Sequence, residues 1–251
     1  MAVPLLPEIP PELVVFDRPS KCPYLPDRMA RLPLRLPVRR LARSELDERL
    51  SSGDRRQGVL LYRPTCPSCH ACEPIRVDAQ QFEPSRVHRR IERRAHKSVR
   101  IEIGATRVDS TRVALYNAHK DGRGLSDGQP PIDAEGYRDF LVESCCESFE
   151  LRYFVGDELV GVAVTDRGEN SLSAVYCHFD PAYERLSLGT LSILQQLALC
   201  RRWSLSWLYL GLYIADCTTM RYKSNYLPHE RFIHGRWRRF QTKQDLQSEA
   251  G

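Results

Sequence analysis

Four side chains that could bind a metal or react as thiols lie close together in the stretch YRPTCPSCHACEPIRV, residues 62–77. They are His70 and three cysteines separated by two residues each, Cys66, Cys69 and Cys72. With Cys22 upstream, four thiolates could hold zinc or an iron–sulfur cluster, two metal centres that the sequence does not separate. Three crowded cysteines leave His70 facing away from any metal. Two other interpretations stay open: a regulatory thiol set that oxidises reversibly, and a reduced structural loop.

A second candidate site is the basic stretch RVHRRIERRAHKSVR, residues 86–100, where Glu92 is the only acidic side chain. Basic residues three and four positions apart lie on one face of a helix. Such a face is the electrostatic signature of a polyanion-binding surface. The alternative is an ordinary solvated helix face, but the near absence of acidic residues raises the prospect of nucleic-acid contact.

The composition is that of a globular chain. Its 251 residues are 42% hydrophobic and 27% charged, with a net charge of +5. This length suits one large domain or two small ones. No apolar run approaches the roughly 20 residues of a membrane span, and the proline-broken start resembles neither a signal nor a transit peptide, so we expect a cytoplasmic protein. Nine cysteines, an odd number, argue against a disulfide framework.

The first half of the chain predicts alternating short elements. RSELDERLSSG predicts a helix capped by Ser44 and ended by Gly53, and VLLYRP and PIRVDAQQF predict two strands of a hairpin-like element that carries the clustered cysteines in its connection. Ser85 should cap the basic helix. Further helices are predicted at STRVALYNAHKD, again Ser-capped, and at DAEGYRDFLVESCC, whose Cys145 and Cys146 should be partly buried thiols.

The second half predicts a different arrangement. FELRYFV, LVGVAVTD and SLSAVYCHF, joined by short turns, predict a three-stranded antiparallel meander. A long helix follows, with apolar residues at helical spacing from Leu188 to Ala198. LSWLYLGLY predicts a buried strand, IADCTTMRYKSNY a short helix or turn, and RFIHGRWRRF a final strand before a polar tail.

This element order matches the GCN5-type acyltransferase fold, in which the loop and helix start after the meander bind a phosphate-bearing acyl donor. Here that segment is ERLSLGT, with Arg185, Ser187, Gly189 and Thr190; the alternative is a plain Ser-capped helix start. We therefore predict an α+β protein with an antiparallel or mixed sheet. A small cysteine-bearing α+β domain would span residues 1–84, the GCN5-like domain 85–240, and the tail 241–251.

Several motifs together resemble one family, the bacterial aminoacyl-tRNA–protein transferases. These are CPYLPDR, YRPTCPSCHACEPIRV followed by FEPSRVHRR, LSAVYCHFDP, RLSLGT and LYLGLYIADCTTMRYKSNYLPHE, from about residue 22 to about residue 235. The family includes the aspartate/glutamate leucyltransferases and is related to the eukaryotic arginyl-tRNA–protein transferases. Each motif alone is weakly specific, whereas their combination and order are specific.

The resemblance implies a reaction. The enzyme would move leucine from leucyl-tRNA to an acceptor protein that begins with Asp or Glu, and the new N-terminal Leu would mark that protein for degradation as an N-degron. Arginine, from arginyl-tRNA, is the alternative donor residue. The ester of a charged tRNA is already activated, so the chemistry itself should need no cofactor.

Each step of this reaction has candidate residues. Lys and Arg supply phosphate contacts, so the tRNA and its aminoacyl end would be bound by Arg93, Arg94, Lys97, Arg185, Ser187, Gly189 and Thr190. An acidic acceptor side chain needs a cationic partner, for which the candidates are Arg76, Arg86, Arg89 and Arg90. The attacking amine must lose a proton, and the polar groups available for catalysis are Asp180, Tyr176, Tyr209, Tyr213, Tyr222 and Lys223.

The sequence also departs from the family pattern. Cys177 and His178 stand where relatives carry a small residue and an aromatic one, and Asp216 and Thr218 flank Cys217 where a basic residue is usual. The eukaryotic relatives are associated with an iron–sulfur cluster, but Leu25 occupies the position of one of their cysteines. These departures affect the donor amino acid and the cysteine site more than the reaction class.

Two rival functions are compatible with parts of the sequence. A small-molecule N-acyltransferase that uses acyl-CoA would explain the meander and RLSLGT but not the basic helix or the cysteines. A non-catalytic zinc-knuckle RNA-binding module would explain the cysteines and the basic stretch but leave the C-terminal half without a role.

Overall fold

The computed structural model describes residues 10–126 and 128–247, and most of its elements are short strands. The strands are β1 (Glu12–Phe16), β2 (Pro19–Lys21), β3 (Met29–Arg31), β4 (Leu34–Pro37), β5 (Arg55–Gln57), β6 (Leu60–Tyr62), β7 (Glu73–Asp78), β8 (Arg100–Gly104), β9 (Ser148–Val155), β10 (Glu158–Arg167), β11 (Ser171–Phe179), β12 (Trp207–Tyr213), β13 (His229–Ile233) and β14 (Arg236–Phe240).

The helices are α1 (Arg43–Ser51), α2 (Arg86–Ala95), α3 (Ser110–Gly122), α4 (Ala134–Tyr137), α5 (Leu188–Arg202) and α6 (Lys243–Gln247). A π-helical turn at Arg138–Val142 continues α4, and 3-10 turns lie at Pro181–Leu186 and Arg221–Asn225. Within the described ranges, no helix combines the length and the apolar character that a membrane crossing requires.

The strands form three sheets. The largest has eight strands in the order β14-β13-β7-β12-β11-β10-β9-β8, a smaller one has the order β1-β4-β6-β5, and β2 pairs with β3. Neighbouring strands are antiparallel throughout, except that β11 and β12 are parallel. The protein is therefore an α+β protein whose main sheet is mixed, as the sequence predicts at this level.

Helices cover both faces of the main sheet. Helices α2 and α5 pack on one face, where Ile75, Val77 and Leu208 of the sheet share a core with Ile91 and Leu191. On the other face, α3 packs against β10 and β11. Helix α1 and strand β6 also lie on this second face, because Leu46 and Leu61 form a cluster with Tyr209 of β12. Burial on both faces follows from the continuous apolar runs in these strands.

Helix boundaries follow local capping chemistry, with two differences from the predictions. The hydroxyl of Ser85 accepts a hydrogen bond from the backbone N–H of His88 at the start of α2, as predicted. Asp109, not Ser110, caps α3, because the Asp109 carboxylate accepts from the N–H of Arg112 at 2.9 Å. Helix α1 begins after Ala42, not after Ser44.

The predicted meander is confirmed as β9, β10 and β11, and the predicted long helix as α5. The hairpin-like cysteine element is wrong, because β6 pairs with β4 and β5 whereas β7 pairs with β12 and β13. The predicted final strand is a hairpin, β13–β14, turned at Gly235. Strand β7 belongs to the main sheet although it precedes residue 84, and the domain boundary at 84/85 stays a prediction.

Candidate functional site

The main sheet contains a fork between its two parallel strands. Strands β11 and β12 pair only from Ser171 with Trp207 to Ser173 with Tyr209, although β11 continues to Phe179. Residues 174–177 are half-buried, whereas residues 171–173 and 178–179 on either side of them are buried. Residues 174–177 of β11 are therefore without a hydrogen-bonded partner on the β12 side and are partly exposed.

Helix α5 begins beside this fork. Its first residue follows Ser187, which adopts the left-handed backbone conformation (φ 54°) and makes no side-chain cap. The Ser-capped helix start considered from the sequence is therefore wrong. The Ser187 hydroxyl accepts no hydrogen bond from the first helical N–H groups, which remain for other partners. The side chains of Thr190 and Tyr226 lie close to each other. Free N–H groups at a helix start favour anions.

Two of the predicted catalytic tyrosines lie at the fork. Tyr176 packs against Tyr116 and Phe140 with ring centroids 5.5 Å away in each case. Burial and the neighbouring Tyr116 raise the pKa of Tyr176 well above its usual value. Tyr222 is 45% exposed, yet burial of its hydroxyl, together with Cys177, raises its pKa to about 12. Both phenols are therefore neutral donors near pH 7.

Lys223 lies next to Tyr222 and beneath the fork. Its side chain is buried, and Nζ donates to the carbonyl of Leu212 at 2.6 Å and contacts Met220 Sδ at 3.0 Å. Burial, followed by the charge of Arg55, lowers the pKa of Lys223 to about 7. A lysine with this pKa can exchange a proton near neutral pH.

The remaining catalytic candidates lie elsewhere. The Asp180 carboxylate accepts from the backbone N–H of Ala182 at 2.8 Å and so caps the turn before α5. Tyr209 lies on the second face of the sheet, where its hydroxyl accepts from Arg76 at 3.1 Å. Tyr213 lies under the guanidinium of Arg231, 4.7 Å from the ring centroid. The fold thus places Tyr222 and Lys223 side by side, with Arg123 near both Tyr222 and Tyr176, and leaves Asp180, Tyr209 and Tyr213 in other contacts.

The residues predicted to bind tRNA form one surface. Arg93, Arg94 and Lys97 are exposed at the C-terminal end of α2. Helix α2 packs against α5, and Arg94 donates to the carbonyl of Arg185 just before α5. This contact joins the basic helix to the start of α5, so the two predicted parts of the tRNA site are contiguous.

The residues predicted to bind the acceptor are divided between the two faces of the sheet. Arg86, Arg89 and Arg90 are exposed on α2. Arg76 lies on β7, where side chains alternate between faces, so it points away from Ile75 and Val77, which pack on the α5 side.

Arg76 is also held by partners of its own. It pairs with Glu230 at 2.6 Å, and its guanidinium lies between Trp207 and Trp237, 3.9 and 4.1 Å from their ring centroids. Cation–π contacts on both sides and an ion pair leave few of its donors for a ligand.

The four cysteines predicted to bind metal line one cavity of about 390 Å³, together with Tyr24, His70 and His234. Two thiols already accept backbone N–H groups: Cys22 from Leu25 and Cys66 from Arg31, both at 3.4 Å. Burial and the neighbouring thiols raise the pKa of Cys72 to about 12. In the described part of the chain, however, no three His, Cys, Asp or Glu side chains form a group that could hold a metal ion.

Sequence reasoning missed two residues near the fork. Arg55 of β5 is buried and its Nη2 donates to the carbonyl of Ala174 in the fork at 3.4 Å. Arg123 follows α3, and its charge partly opposes the rise that burial causes in the pKa values of Tyr176, Cys177 and Tyr222. Neither belongs to a motif, and the only available signal for Arg55 was its place beside another arginine in GDRRQG.

Comparisons with known proteins point to one family. The family model described as arginine-tRNA-protein transferase, N terminus, matches residues 20–90, and the one described as its C terminus matches residues 111–233. Proteins named aspartate/glutamate leucyltransferase from Aeromonas hydrophila, Thiobacillus denitrificans and Chromobacterium violaceum are 38%, 36% and 37% identical to this chain. These alignments cover 89%, 86% and 87% of the chain and 93%, 90% and 90% of the relatives.

Similarity among solved structures is weak. The structure of L-PGS from Bacillus licheniformis aligns with 58% of this chain and 46% of its own, at 11% identity and a TM-score of 0.43. The C-terminal domain of a lysylphosphatidylglycerol synthetase from Agrobacterium fabrum aligns with 57% of this chain and 47% of its own, at 13% identity and a TM-score of 0.43. Similarity at this level supports no conclusion about fold or function.

Proposed function

Because this chain belongs to the arginine-tRNA-protein transferase family, we propose that it transfers leucine from leucyl-tRNA to the N-terminal Asp or Glu of acceptor proteins. The observation that carries this proposal is 36–38% identity, over nearly the whole length, to relatives named for that activity. The product would begin with Leu and so carry an N-degron. The cytoplasm is the compartment that supplies charged tRNA.

We further propose that the main sheet and α5 form a GCN5-type acyltransferase domain. Three features support it: the β9–β10–β11 meander, the entry into α5 and the parallel strand β12. The fork between β11 and β12 would then receive the aminoacyl end of the tRNA. The start of α5, with Arg185, Ser187, Gly189 and Thr190, would face its terminal phosphates.

The chemistry at the fork is aminolysis of an ester. The acceptor's neutral amine attacks the leucyl carbonyl, a C–N bond forms, and the C–O bond to the tRNA ribose breaks. The proton lost by the amine ends on the ribose oxygen. Among the catalytic candidates we favour Tyr176 and Tyr222 for donating hydrogen bonds to the ester, and Lys223, a buried amine, for holding a charged group of the substrate in place. Asp180, Tyr209 and Tyr213 would contribute only indirectly, through the contacts that hold the surrounding structure in place.

The body of the tRNA would lie on α2. Arg93, Arg94 and Lys97 are exposed and joined to the start of α5 by the contact between Arg94 and Arg185. Each phosphate contact that is lost should weaken tRNA binding and make the slope of log K against log salt concentration less steep by about 1. Filter binding of R93A and K97A at several salt concentrations would show this reduction. An unchanged salt slope would place the tRNA elsewhere.

The acceptor candidates on α2, Arg86, Arg89 and Arg90, stay in the proposal as exposed cations near the tRNA surface. Arg76 stays as well, with the requirement that an acceptor displace Glu230 from it. Substituting Arg86 and Arg89 with Ala should raise the KM for an Asp-initiated peptide if they contact it. An effect on tRNA binding alone would assign them to the tRNA surface.

For the cysteines we propose zinc or an iron–sulfur cluster on Cys22, Cys66, Cys69 and Cys72. The shared cavity supports the donor set, and the two N–H···S bonds are of the kind that stabilise thiolates. Bound metal would relieve the thiol crowding that raises the pKa of Cys72. Anaerobically purified protein should contain metal that C72S lacks and that C200S, a buried thiol outside the cavity, retains. Metal-free protein under these conditions would favour the redox or structural alternatives.

The transfer assay tests the function directly. The protein is incubated with leucyl-tRNA or arginyl-tRNA and with peptides that begin with Asp, Glu, Lys or Arg, and the products are identified by mass. We expect leucine on the Asp and Glu peptides only. Arginine instead of leucine would replace the donor and keep the mechanism. RNA binding without any product would favour the non-catalytic RNA-binding module, and CoA binding without tRNA binding the small-molecule N-acyltransferase.

A further inference from the structure

Two buried cations lie together on the floor of the fork. Arg55 and Lys223 are each only 7% exposed. Arg55 makes one weak hydrogen bond, to the carbonyl of Ala174 at 3.4 Å, and its buried Nη1 has no hydrogen-bond partner in the described part of the chain. Lys223 uses its donors on the Leu212 carbonyl and the Met220 thioether. Neither partner carries a charge.

The protein supplies no anion to this pair. Across residues 10–126 and 128–247, neither Arg55 nor Lys223 has a carboxylate within 4.0 Å. Asp166 is close enough to act on Arg55, but Arg56 binds both of its oxygens, at 2.7 and 2.9 Å. The other neighbours are the hydroxyls of Tyr62, Tyr24 and Tyr209 and, near Lys223, the thiol of Cys217. Buried charges are normally paired, so two unpaired ones call for an anion from outside.

A glycine without a side chain lies beside these cations. Gly211 of β12 has φ +85°, and a Cβ added there would lie 3.5 Å from Arg55 Nη2 and 3.6 Å from Lys223 Nζ. Pairing of β12 with β11 ends at Tyr209, and its register with β7 shifts between Tyr209 and Leu212. Strand β12 therefore departs from regular pairing at Gly211, which has no side chain. Gly211 itself is half-buried.

We propose that Arg55 and Lys223 form the pocket for the side-chain carboxylate of the acceptor's N-terminal Asp or Glu. The inference rests on the proposed leucine transfer and assigns its acceptor specificity to residues outside the set predicted from the sequence. A carboxylate at a chain end can enter a deep pocket with both oxygens free. A phosphodiester within a tRNA has two oxygens tied to the chain and fits an exposed surface better, such as that of α2.

The pocket explains discrimination between acids and amides. Asn and Gln match Asp and Glu in size but carry no charge, so they would leave both cations unpaired. Because an unpaired buried cation costs free energy, the site should bind the amides more weakly than the acids. We expect wild-type protein to prefer an Asp-initiated peptide over its Asn counterpart by about 10- to 100-fold in kcat/KM, the range that a hydrogen bond to a charged group provides.

The test uses R55M and K223M with peptides that differ only in their first residue. We expect the Asp-to-Asn ratio in kcat/KM, and in equilibrium peptide binding without tRNA, to fall to within about threefold of one in both variants. Lys243→Met, an exposed lysine on α6, removes the same charge and should keep the wild-type ratio. A wild-type ratio in folded R55M and K223M would overturn the proposal. So would a loss of tRNA binding with the ratio intact, which would make the anion a phosphate.

Two further measurements keep the test decisive. If a variant does not fold, the ¹³Cε signal of Lys223 in the unaltered protein is titrated with the two peptides. A shift with the Asp peptide alone supports the pocket, and equal responses overturn it. If wild-type protein transfers no leucine, the proposed function fails, but the equilibrium binding of Asp and Asn peptides still tests the pocket.

Discussion

Arg55 and Arg56 are neighbours in the chain, and both are buried, yet they have opposite surroundings. Arg56 grips Asp166 with two hydrogen bonds and donates to the carbonyl of Gly58. Arg55 points to the fork, beside Lys223, and among the described residues no carboxylate lies within 4.0 Å of it, since Asp166 is held by Arg56. Alternation along β5 sends the two side chains to opposite faces of one strand.

The difference separates a structural cation from a functional one. A buried cation that is already paired with a carboxylate gains little by binding an anionic ligand. A buried cation without a partner gains much more, because the ligand offsets the desolvation cost of its charge. The two sites therefore predict opposite responses to the same substitution. Stability should depend on Arg56 and acceptor choice on Arg55.

The largest effect should come from Arg56→Met. It would leave the Asp166 carboxylate, 1% exposed, without its ion-pair partner, and breaking a buried pair from one side costs about 3–5 kcal/mol of unfolding free energy. Urea unfolding measures it. Arg43→Ala is the matched control, since its pair with Glu147 is half exposed and should contribute under about 1 kcal/mol. Equal losses in the two variants would contradict the comparison.

The buried imidazole of His178 extends this comparison to stability at acid pH. Burial, then the charges of His119 and Arg112, lower the pKa of His178 to about 3, and its Nε2 lies 3.3 Å from the Tyr137 hydroxyl. Between pH 3 and 6.5 the unfolded chain binds a proton at this residue and the folded chain does not. The unfolding free energy should therefore fall by about 1.4 kcal/mol per pH unit as the pH drops through this window.

The variant that tests this is His178→Phe, which keeps an aromatic ring and removes the titrating group. Other groups, including His229, whose pKa is lowered to about 4, titrate in the same range, so the difference between wild type and variant is the quantity to measure. We expect that difference to reach about 2 kcal/mol between pH 6.5 and pH 4.5. Parallel pH curves would show that His178 is not kept neutral by the fold.

The smallest effect concerns Lys223 in alkali. Its pKa of about 7 lies below the unfolded value of 10.5, so above pH 7 the unfolded chain holds a proton that the folded chain lacks. This residue should therefore make stability rise with pH, by up to about 2 kcal/mol between pH 7 and 8.5. Lys223→Met should lose this component and, unlike Arg56→Met, cost little stability at pH 7. A variant with the wild-type pH slope would mean that Lys223 stays charged.

Much of the architecture could be predicted from local patterns. Short turns that carry Gly predicted the meander, and apolar residues at helical spacing predicted α5, because both depend on contacts between residues near in sequence. The errors arose where partners are distant. Strands β6 and β7 are joined by ten residues that include the cysteines, and nothing local shows that they enter different sheets.

For the site, the amino-acid sequence by itself determined the family, the basic face of α2 and the cysteine set, since each is a matter of residue type and spacing. Only the tertiary structure decided which cations are paired. Arg76 stood in a family motif and proved to be held by Glu230 and two tryptophans, whereas Arg55 stood in none and lies beside Lys223. Burial and partner distance set the free energy of a charge, and both come from residues more than a hundred positions apart, such as Arg55 and Ala174.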